Sequence, residues 1–320
     1  MTEKKLVLGI PTGSLVKDTR SDLARILMDA NLIADRVTED APTKMSYIPW
    51  IQVVRGRPQE MPSYCADGVI DAFFGGDDWA LEWNLAGKPT ERLVGLDTGK
   101  VRIVAAAGEN YDAGSPLVRI GTEYVNIARN FAAERYGVPL EEVLMLPKGS
   151  LYTGERGIVV IDSAGATESK AYEGWVDMVV EATQSGSALR SWGLKESREI
   201  MRSECAMYAN PESLKDTWKK EKLENITVVL GGVVAAKDIV MLKFNMPTDK
   251  TQSVVDYLTE QGLCNTQPTV TPTANGYNAI EVQVRTNDPN NPLVDVQGAI
   301  YGMGGRGIDK QPVNCSIQGR

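Results

Sequence analysis

The sequence of 320 residues contains no histidine, and that absence removes several chemistries together. Ser-His-Asp and Cys-His catalysis need an imidazole base, and histidine zinc sites and imidazole proton shuttles need the ring itself. Cysteine is scarce: Cys65, Cys205, Cys264 and Cys315 are scattered, with no Cys-x-x-Cys pair to suggest a zinc knuckle or a redox couple. No block of lysine or arginine interrupts a net charge of −8, so the footprint of a nucleic-acid binder is missing. Such a chain takes anionic substrates only through local loops and metal ions, because its overall field repels them. No apolar run approaches the roughly 18 residues a membrane span needs, and Leu6–Ile10 is too short for a secretory hydrophobic region. The expectation is a cytoplasmic protein that binds neither nucleic acid nor membrane. The matches to glycosylation sequons at Asn225-Ile226-Thr227 and Asn314-Cys315-Ser316 are then coincidence.

What is present concentrates between Val176 and Leu194. Val176, Met178, Val179 and Val180 form an apolar run long enough for a buried strand and too short for a helix. Glu181 closes the run with a charge. Ser185-Gly186-Ser187 then supplies small residues where the next helix begins. A tight turn there aims several backbone N–H groups at one spot, and the helix start adds positive potential, which makes a phosphate seat without a lysine. An acid one turn upstream is placed to accept hydrogen bonds from sugar hydroxyls. A strand entering a Gly/Ser turn is also a common structural join, so the surrounding residues have to decide.

Those residues alternate strand and helix. Lys5–Ile10 reads as a strand, and Asp18–Asn31 as a helix with Leu23, Ile26, Leu27 and Ala30 on one face. Tyr47–Val54 is a second strand, Gln59–Asp67 a helix and Asp71–Gly75 a short buried strand. Lys100–Ala107, Val118–Thr122, Glu142–Leu146 and Ile158–Ile161 read as further strands, with a helix ending near Tyr136. This alternation predicts mostly parallel sheets flanked by helices, and ligands in a cleft at the carboxyl ends of the strands. After Leu194 the chain is expected to return to the first lobe through Arg198–Tyr208. A helix then spans Pro211–Val234, kinked or stopped early by Gly231-Gly232.

The remainder reads as a βαββαβ unit. Strand Ile239–Asn245, helix Thr248–Gln261, strand Thr269–Thr273, a hairpin turn at Asn275-Gly276 and the alternating strand Tyr277–Arg285 come first. A helix striped by Leu293, Val296 and Ile300 and a closing strand at Val313, Cys315 and Ile317 complete it. Gly302 to Gly307 spells G-x-G-x-x-G, but it follows a helix and opens none, which argues against a dinucleotide site.

The segments taken together resemble the ATP phosphoribosyltransferase family. Glu181, Ser185-Gly186-Ser187 and Trp192-Gly193-Leu194 stand where that family has an acid, a Thr/Ser-Gly-x turn and a closing Asn-Gly-Leu, with Ala188 in place of its usual threonine. Pro11-Thr12-Gly13-Ser14-Leu15 keeps the frame of the family's Pro-Lys-Gly-Arg-Leu and loses both basic residues. Arg55-Gly56-Arg57, the run Asp67 to Gly76, Glu123-Tyr124-Val125-Asn126 and Gly165-Ala166-Thr167-Glu168 follow in the family's order. The resemblance implies a two-lobed, periplasmic-binding-protein-like α/β core and a ferredoxin-like C-terminal domain. Lobe I would hold residues 1–105 and 195–225, and lobe II residues 106–194. Residues 235–320 would be the regulatory domain of long-form members, which binds histidine.

The same resemblance implies a reaction, the first of histidine biosynthesis. N1 of ATP displaces pyrophosphate from phosphoribosyl pyrophosphate (PRPP), with Mg²⁺ on the pyrophosphate and inversion at C1′. Thr183, Gln184, Ser185, Gly186, Ser187 and Ala188 would then hold PRPP, Glu181 its ribose hydroxyls, and Arg55 would join Glu181 at the reacting centre. Thr12, Ser14, Arg57, Asp71, Phe73, Arg102, Tyr124 and Glu168 fall to the acceptor, and metal ligands stay unassigned. Dimers assembling into hexamers are implied as well. Two alternatives stay open: another nitrogenous acceptor, given Thr12, Ser14 and Phe73, or a non-catalytic small-molecule binder or regulatory homologue.

Overall fold

The structure is a computed structural model and describes residues 4–13, 22–34, 46–109, 111–112, 114–163, 165–264 and 266–317. It divides into two compact units, Met1–Thr227 and Val228–Arg320. In the first unit the chain runs through β1 (Leu6–Pro11), α1 (Asp22–Asp29), β2 (Ile51–Gly56), α2 (Met61–Ala66), β3 (Ala72–Gly76), α3 (Asp77–Leu85), β4 (Glu91–Gly95) and β5 (Val101–Ala107). It continues with β6 (Leu117–Thr122), α4 (Val125–Tyr136), β7 (Leu144–Leu146), β8 (Gly157–Asp162), α5 (Thr167–Tyr172) and β9 (Met178–Thr183). Then come α6 (Ser187–Ser191), β10 (Lys195–Ser203), β11 (Cys205–Ala209) and α7 (Thr217–Ala236), the last of which spans the unit boundary. The helix expected over Asp18–Asn31 is seen as α1, and the earlier part of that range lies outside the described residues.

Two sheets organise this unit. The first has the order β2-β1-β3-β11-β4, with β1, β2 and β3 parallel and β11 antiparallel to both neighbours. The second has the order β10-β5-β9-β6-β8-β7, parallel from β9 through β7 and antiparallel at β5 and β10. Both are therefore mixed rather than mostly parallel, because the strands that carry the chain between the sheets, β4 to β5 and β10 to β11, run against their neighbours. β10 pairs with β5 up to Ser203 opposite Val101, so the stretch expected to return to the first lobe stays with the second sheet until Glu204. Only at Cys205, opposite Gly76, does the chain join the first sheet.

Buried apolar residues fix each sheet to its helices. Leu6, Leu8 and Ile10 of β1 are almost wholly buried, and a Cβ on Gly9 would stand 2.6 Å from Ile70 Cδ1 and 2.7 Å from Met61 Sδ. Glycine there lets the sheet and α2 approach closely. Ile127, Ala128, Phe131 and Ala132 of α4 pack on Ile103, Ile120 and Val160 of the second sheet. α3 and β4 were not read from the sequence. The buried side of α3 carries Asp78 and Glu82 beside Ala80, so no apolar stripe announces it.

The second unit contains β12 (Ile239–Pro247), α8 (Thr251–Glu260), β13 (Thr269–Pro272), β14 (Tyr277–Arg285), α9 (Leu293–Gly302) and β15 (Arg306–Pro312). Its sheet, β13-β14-β12-β15, is antiparallel throughout, the order of a ferredoxin-like unit. Val254, Leu258, Val296 and Ile300 of the helices cover Leu242, Phe244, Ile280 and Val282. The hairpin turn carries Asn275 and Gly276 at φ 69° and 73°, the left-handed region such turns require.

Two expectations fail here. The closing strand is β15, formed by residues 306–312, whereas Cys315 and Ile317 sit in irregular chain against α7. Gly231-Gly232 does not end α7, which continues to Ala236. A Cβ on Gly232 would meet Ile317 Cγ1 at 2.7 Å and Cys315 Sγ at 2.8 Å, and the Ser316 amide donates to the Gly232 carbonyl at 2.8 Å. The helix accepts glycine there because the C-terminal tail lies on it.

Candidate active site

The carboxyl ends of β1, β2 and β3 in the first sheet, and of β6, β8 and β9 in the second, carry the polar residues singled out above. A cavity of about 560 Å³ lies there, walled by Trp79 and Trp83 of α3 and by Val125, with Arg57, Lys148 and Asp162 at its polar sides. Trp79 leans on Tyr124, ring centroids 4.5 Å apart.

The loop after β9 is the most irregular element of the site. Gly186 takes φ 71° and donates its amide to Thr183 Oγ1 at 2.8 Å. A Cβ at Gly186 would stand 2.3 Å from Glu196 Oε1 and 2.8 Å from Arg190 Nη1, flexible ends that can move, so it is the left-handed backbone that demands glycine. Arg190 reaches back from α6 and donates to the Ser185 carbonyl at 2.8 Å. That bond ties the Ser185 carbonyl to α6, and the Ser187 amide donates to Ser185 Oγ at 3.4 Å. Gln184, Ser185, Ser187 and Ala188 are exposed. The Ser185 hydroxyl donates to Ser187 Oγ at 3.1 Å.

Glu181 stands at the third-from-last position of β9, largely shielded from water. Burial pushes its carboxyl up to about 7, and the nearby charges of Glu168 and Glu123 push the same way. Thr167 and the Ala182 amide pull it partly back. The Thr167 hydroxyl is buried and makes no hydrogen bond of normal geometry. Glu181, Glu168, Glu123 and Thr167 are thus held together without a cation among them. Tyr124 completes this neighbourhood. Its hydroxyl donates to Asp78 Oδ2 at 2.8 Å, and burial with the Asp78 and Glu181 charges raises its ionisation far above the ordinary range.

The acids of α3 are differently supplied. Asp78 Oδ1 accepts from the Ser203 hydroxyl at 2.8 Å. Glu82 accepts from the amides of Asn126 and Ile127 at 2.8 and 2.9 Å and from Asn126 Nδ2 at 2.8 Å, which caps the N-terminus of α4. Burial nevertheless raises Glu82. None of these residues was singled out from the sequence. Their signal was the i, i+4 spacing of Asp78 and Glu82 after a strand ending in Gly75-Gly76, and it is visible only once α3 is known to be a helix.

The structure brings some of the expected residues together and not others. Glu181, Thr183, Gln184, Ser185, Gly186, Ser187 and Ala188 form one end of β9 and its turn, with Glu168 and Tyr124 beside Glu181. Thr12 joins the end of β1 to β2, its amide and hydroxyl donating to the Gly56 carbonyl at 2.8 and 3.2 Å, next to Arg55 and Arg57. Ser14 lies outside the described residues. Arg102 pairs in register with Thr183 and faces the loop side, its guanidinium held by Glu196 at 2.7 and 3.1 Å.

Asp71 and Phe73 do not reach the site. Asp71 precedes β3 at the opposite end of the strand, buried, and accepts from the Val7 amide, the Ser213 hydroxyl and Lys219 Nζ at 2.8, 2.6 and 2.5 Å. Phe73 is fully buried and stacks on Tyr208, centroids 5.3 Å apart, in the core of the first sheet. Its side chain therefore blocks no ligand, and Phe73 is no ground for a different acceptor. Among the described residues no group of three or more His, Cys, Asp or Glu is arranged to hold a metal ion, and no helix is long and apolar enough to cross a membrane.

Fold and site together define a two-lobed α/β protein with an acid-edged turn at the strand ends. The family pattern described as ATP phosphoribosyltransferase matches residues 57–232. An ATP phosphoribosyltransferase of Geotalea daltonii is 28% identical over 98% of this chain and 99% of its own length. One of Pelotomaculum thermopropionicum is 32% identical over 87% and 89% of the two chains. The fold is shared with a chain of the ATP phosphoribosyl transferase (HisG:HisZ) complex from Thermotoga maritima, at a TM-score of 0.52 and 22% identity, covering 69% of this chain and 97% of that one. The chain belongs to the ATP phosphoribosyltransferase family.

Proposed function

We propose that this chain transfers the phosphoribosyl group of PRPP to N1 of ATP. The N1 lone pair forms the new bond to C1′ while the C1′–O bond breaks, and its electron pair leaves with the pyrophosphate. The observation that carries the site assignment is Glu181: a shielded carboxylate that pairs with no cation among the described residues, at the edge of the glycine turn that opens α6. The turn Gln184–Ser187 seats the 5′-phosphate, and ionised Glu181 accepts from the ribose hydroxyls and faces the positive charge that develops on the ring. The acceptor lies in the cavity beside Trp79, its base against the aromatic wall and its phosphates toward Arg57 and Lys148. Arg55 lies beside Arg57 near that end of β2 and supports the anionic groups.

Mg²⁺ belongs to this reading as part of the substrate, riding on the pyrophosphate and neutralising the charge that builds there. A magnesium ion held mainly by substrate phosphates asks for one or two carboxylates at most. The ferredoxin-like unit is assigned to feedback inhibition by histidine, and the chain to homodimers or hexamers, on the resemblance to long-form members.

The test is incubation with PRPP, Mg²⁺ and a panel of purine nucleotides, following pyrophosphate. Release with ATP alone is expected. Release only with a different acceptor, or with none, overturns the assignment.

A further inference from the structure

The second sheet's half carries another concavity that the reading above leaves unused. It is an open hollow of about 750 Å³, inside the range of roughly 300–1,000 Å³ in which small-molecule sites fall. It opens where the chain leaves α6, with Arg190 and Trp192–Lys195 on its wall. Two features of its wall point to a ligand.

The first is aromatic. Tyr172, at the end of α5, and Trp192, just past α6, meet edge to face with centroids 5.7 Å apart. They remain 66% and 41% exposed. Two large rings packed on each other yet open to water present a contiguous apolar surface of the kind that marks binding sites. Val176 and Leu194 supply an apolar floor beneath them.

The second is electrostatic. Lys195 on the same wall is spent on Glu109 at 2.9 Å. Arg190 makes no ion pair within 4 Å among the described residues. The nearby Glu196, whose carboxyl is lowered by its bond to Arg102 and further by the Arg190 charge, is held by Arg102, and the hydrogen bond of Arg190 goes to the neutral Ser185 carbonyl at 2.8 Å. A guanidinium with donors to spare beside an aromatic wall suits a planar ring bearing a carboxylate, because the fork binds both oxygens at once.

We propose that this hollow is a second binding site, for a small aromatic carboxylate whose ring lies on Tyr172 and Trp192 and whose acid takes Arg190. Arg190 also props the Ser185 carbonyl, so a ligand that draws the guanidinium away loosens the turn and weakens PRPP binding. That coupling rests on the loop reading; the site itself does not.

Calorimetric titration of the full chain with indole-3-acetate tests the site directly, with acetate and indole as controls lacking the ring or the acid. Saturable binding is expected for indole-3-acetate, at least tenfold tighter than either control. Tyr172→Ala and Trp192→Ala, both at exposed positions and checked for an unchanged melting temperature, should each bind it at least tenfold more weakly. Equal binding to the two variants and the parent, or no preference over acetate, overturns the proposal. Absence of probe binding, with a lowered oligomeric mass in either variant, makes the aromatic pair a subunit contact and overturns it as well. Saturating probe should raise the PRPP dissociation constant at least threefold in the parent and leave Arg190→Gln unaffected. An unmoved constant in the parent removes the coupling, whatever becomes of the PRPP assignment.

Discussion

Two strand-to-helix junctions in this molecule carry hidden acids, and they treat them in opposite ways. At the β3–α3 junction every carboxylate is saturated. Asp77 takes Arg92 Nε at 2.8 Å and the Glu204 amide at 3.0 Å, Asp78 takes two hydroxyls, and Glu82 takes the end of α4. At the β9–α6 junction Glu181 has a neighbouring threonine, one amide and two further carboxylates, and its proton is held up to about 7. Buried polar groups are ordinarily satisfied within the fold, so an acid left wanting is the one kept for something that arrives later. The first junction builds the scaffold, and on the function proposed above the second is the one that a ligand completes.

Breaking the saturated junction should cost most. Glu82→Ala strands two amides and a carboxamide at the head of α4, and at about 1–3 kcal/mol for each buried donor left unpaired the loss should reach about 3 kcal/mol or more. Urea denaturation should show that loss as a lower midpoint. A loss below about 1 kcal/mol would mean that water replaces the carboxylate and that the junction is not a scaffold.

The unsaturated junction should respond with the opposite sign. Glu181 titrates near 4.5 when unfolded and about 7 when folded, so between these values the folded state binds more protons and stability falls as pH rises. Above pH 7 the whole cost is present, and at about 1.4 kcal/mol per unit its upper bound is on the order of 3 kcal/mol. Glu181→Gln should therefore raise stability by about 1–3 kcal/mol at pH 8 and change it little at pH 4, while PRPP affinity drops at least tenfold. A variant that is both less stable and still able to bind PRPP would contradict the assignment on two counts.

The parent protein gives a finer version of the same contrast. If ionised Glu181 accepts the ribose hydroxyls, PRPP affinity should rise about tenfold per pH unit as pH approaches 7 from below, then level off. Glu181→Gln should lose that slope, which separates it from titration of the ligand's own phosphates. Calorimetry across pH 5.5 to 8.5 measures both. A slope that survives in the variant would move the titrating group elsewhere.

How much of this was legible in the sequence follows from where each signal lies. The strands with alternating or unbroken apolar runs were readable, and so was the βαββαβ order of the second unit, because burial there follows simple periods. The turn at Ser185-Gly186-Ser187 was readable as a strand-to-helix join because small residues and a glycine free to take φ 71° suit one. α3 was hidden because its inward face is acidic, and Asp78 and Glu82 make sense only opposite Ser203, Tyr124 and α4, which lie from 40 to more than 120 residues away. Asp71 and Phe73 were misplaced for a related reason. A motif gives order along the chain, but which end of a strand, or which face of a sheet, a residue occupies is settled by packing: Phe73 points at Tyr208 and Asp71 at Lys219.

The smallest expected effect sharpens the contrast from the ligand's side. Ala188 stands in the first turn of α6, exposed, where the resembling family carries threonine. If the turn seats a phosphate with main-chain amides, then Ala188→Thr offers one more donor to the same oxygens. A hydrogen bond to a charged acceptor contributes about 1.5–3 kcal/mol when well made, and about half that at an exposed rim. PRPP should bind roughly three- to tenfold tighter, by the relation of about 1.4 kcal/mol per decade. Stability should stay within about 0.5 kcal/mol, as for surface substitutions in general. The Glu181 junction would then gain from an added polar group, whereas the β3–α3 junction, already full, has no bond left to offer. Unchanged affinity in Ala188→Thr would place the phosphate on the other side of the turn, nearer Thr183 and Arg102 than the start of α6.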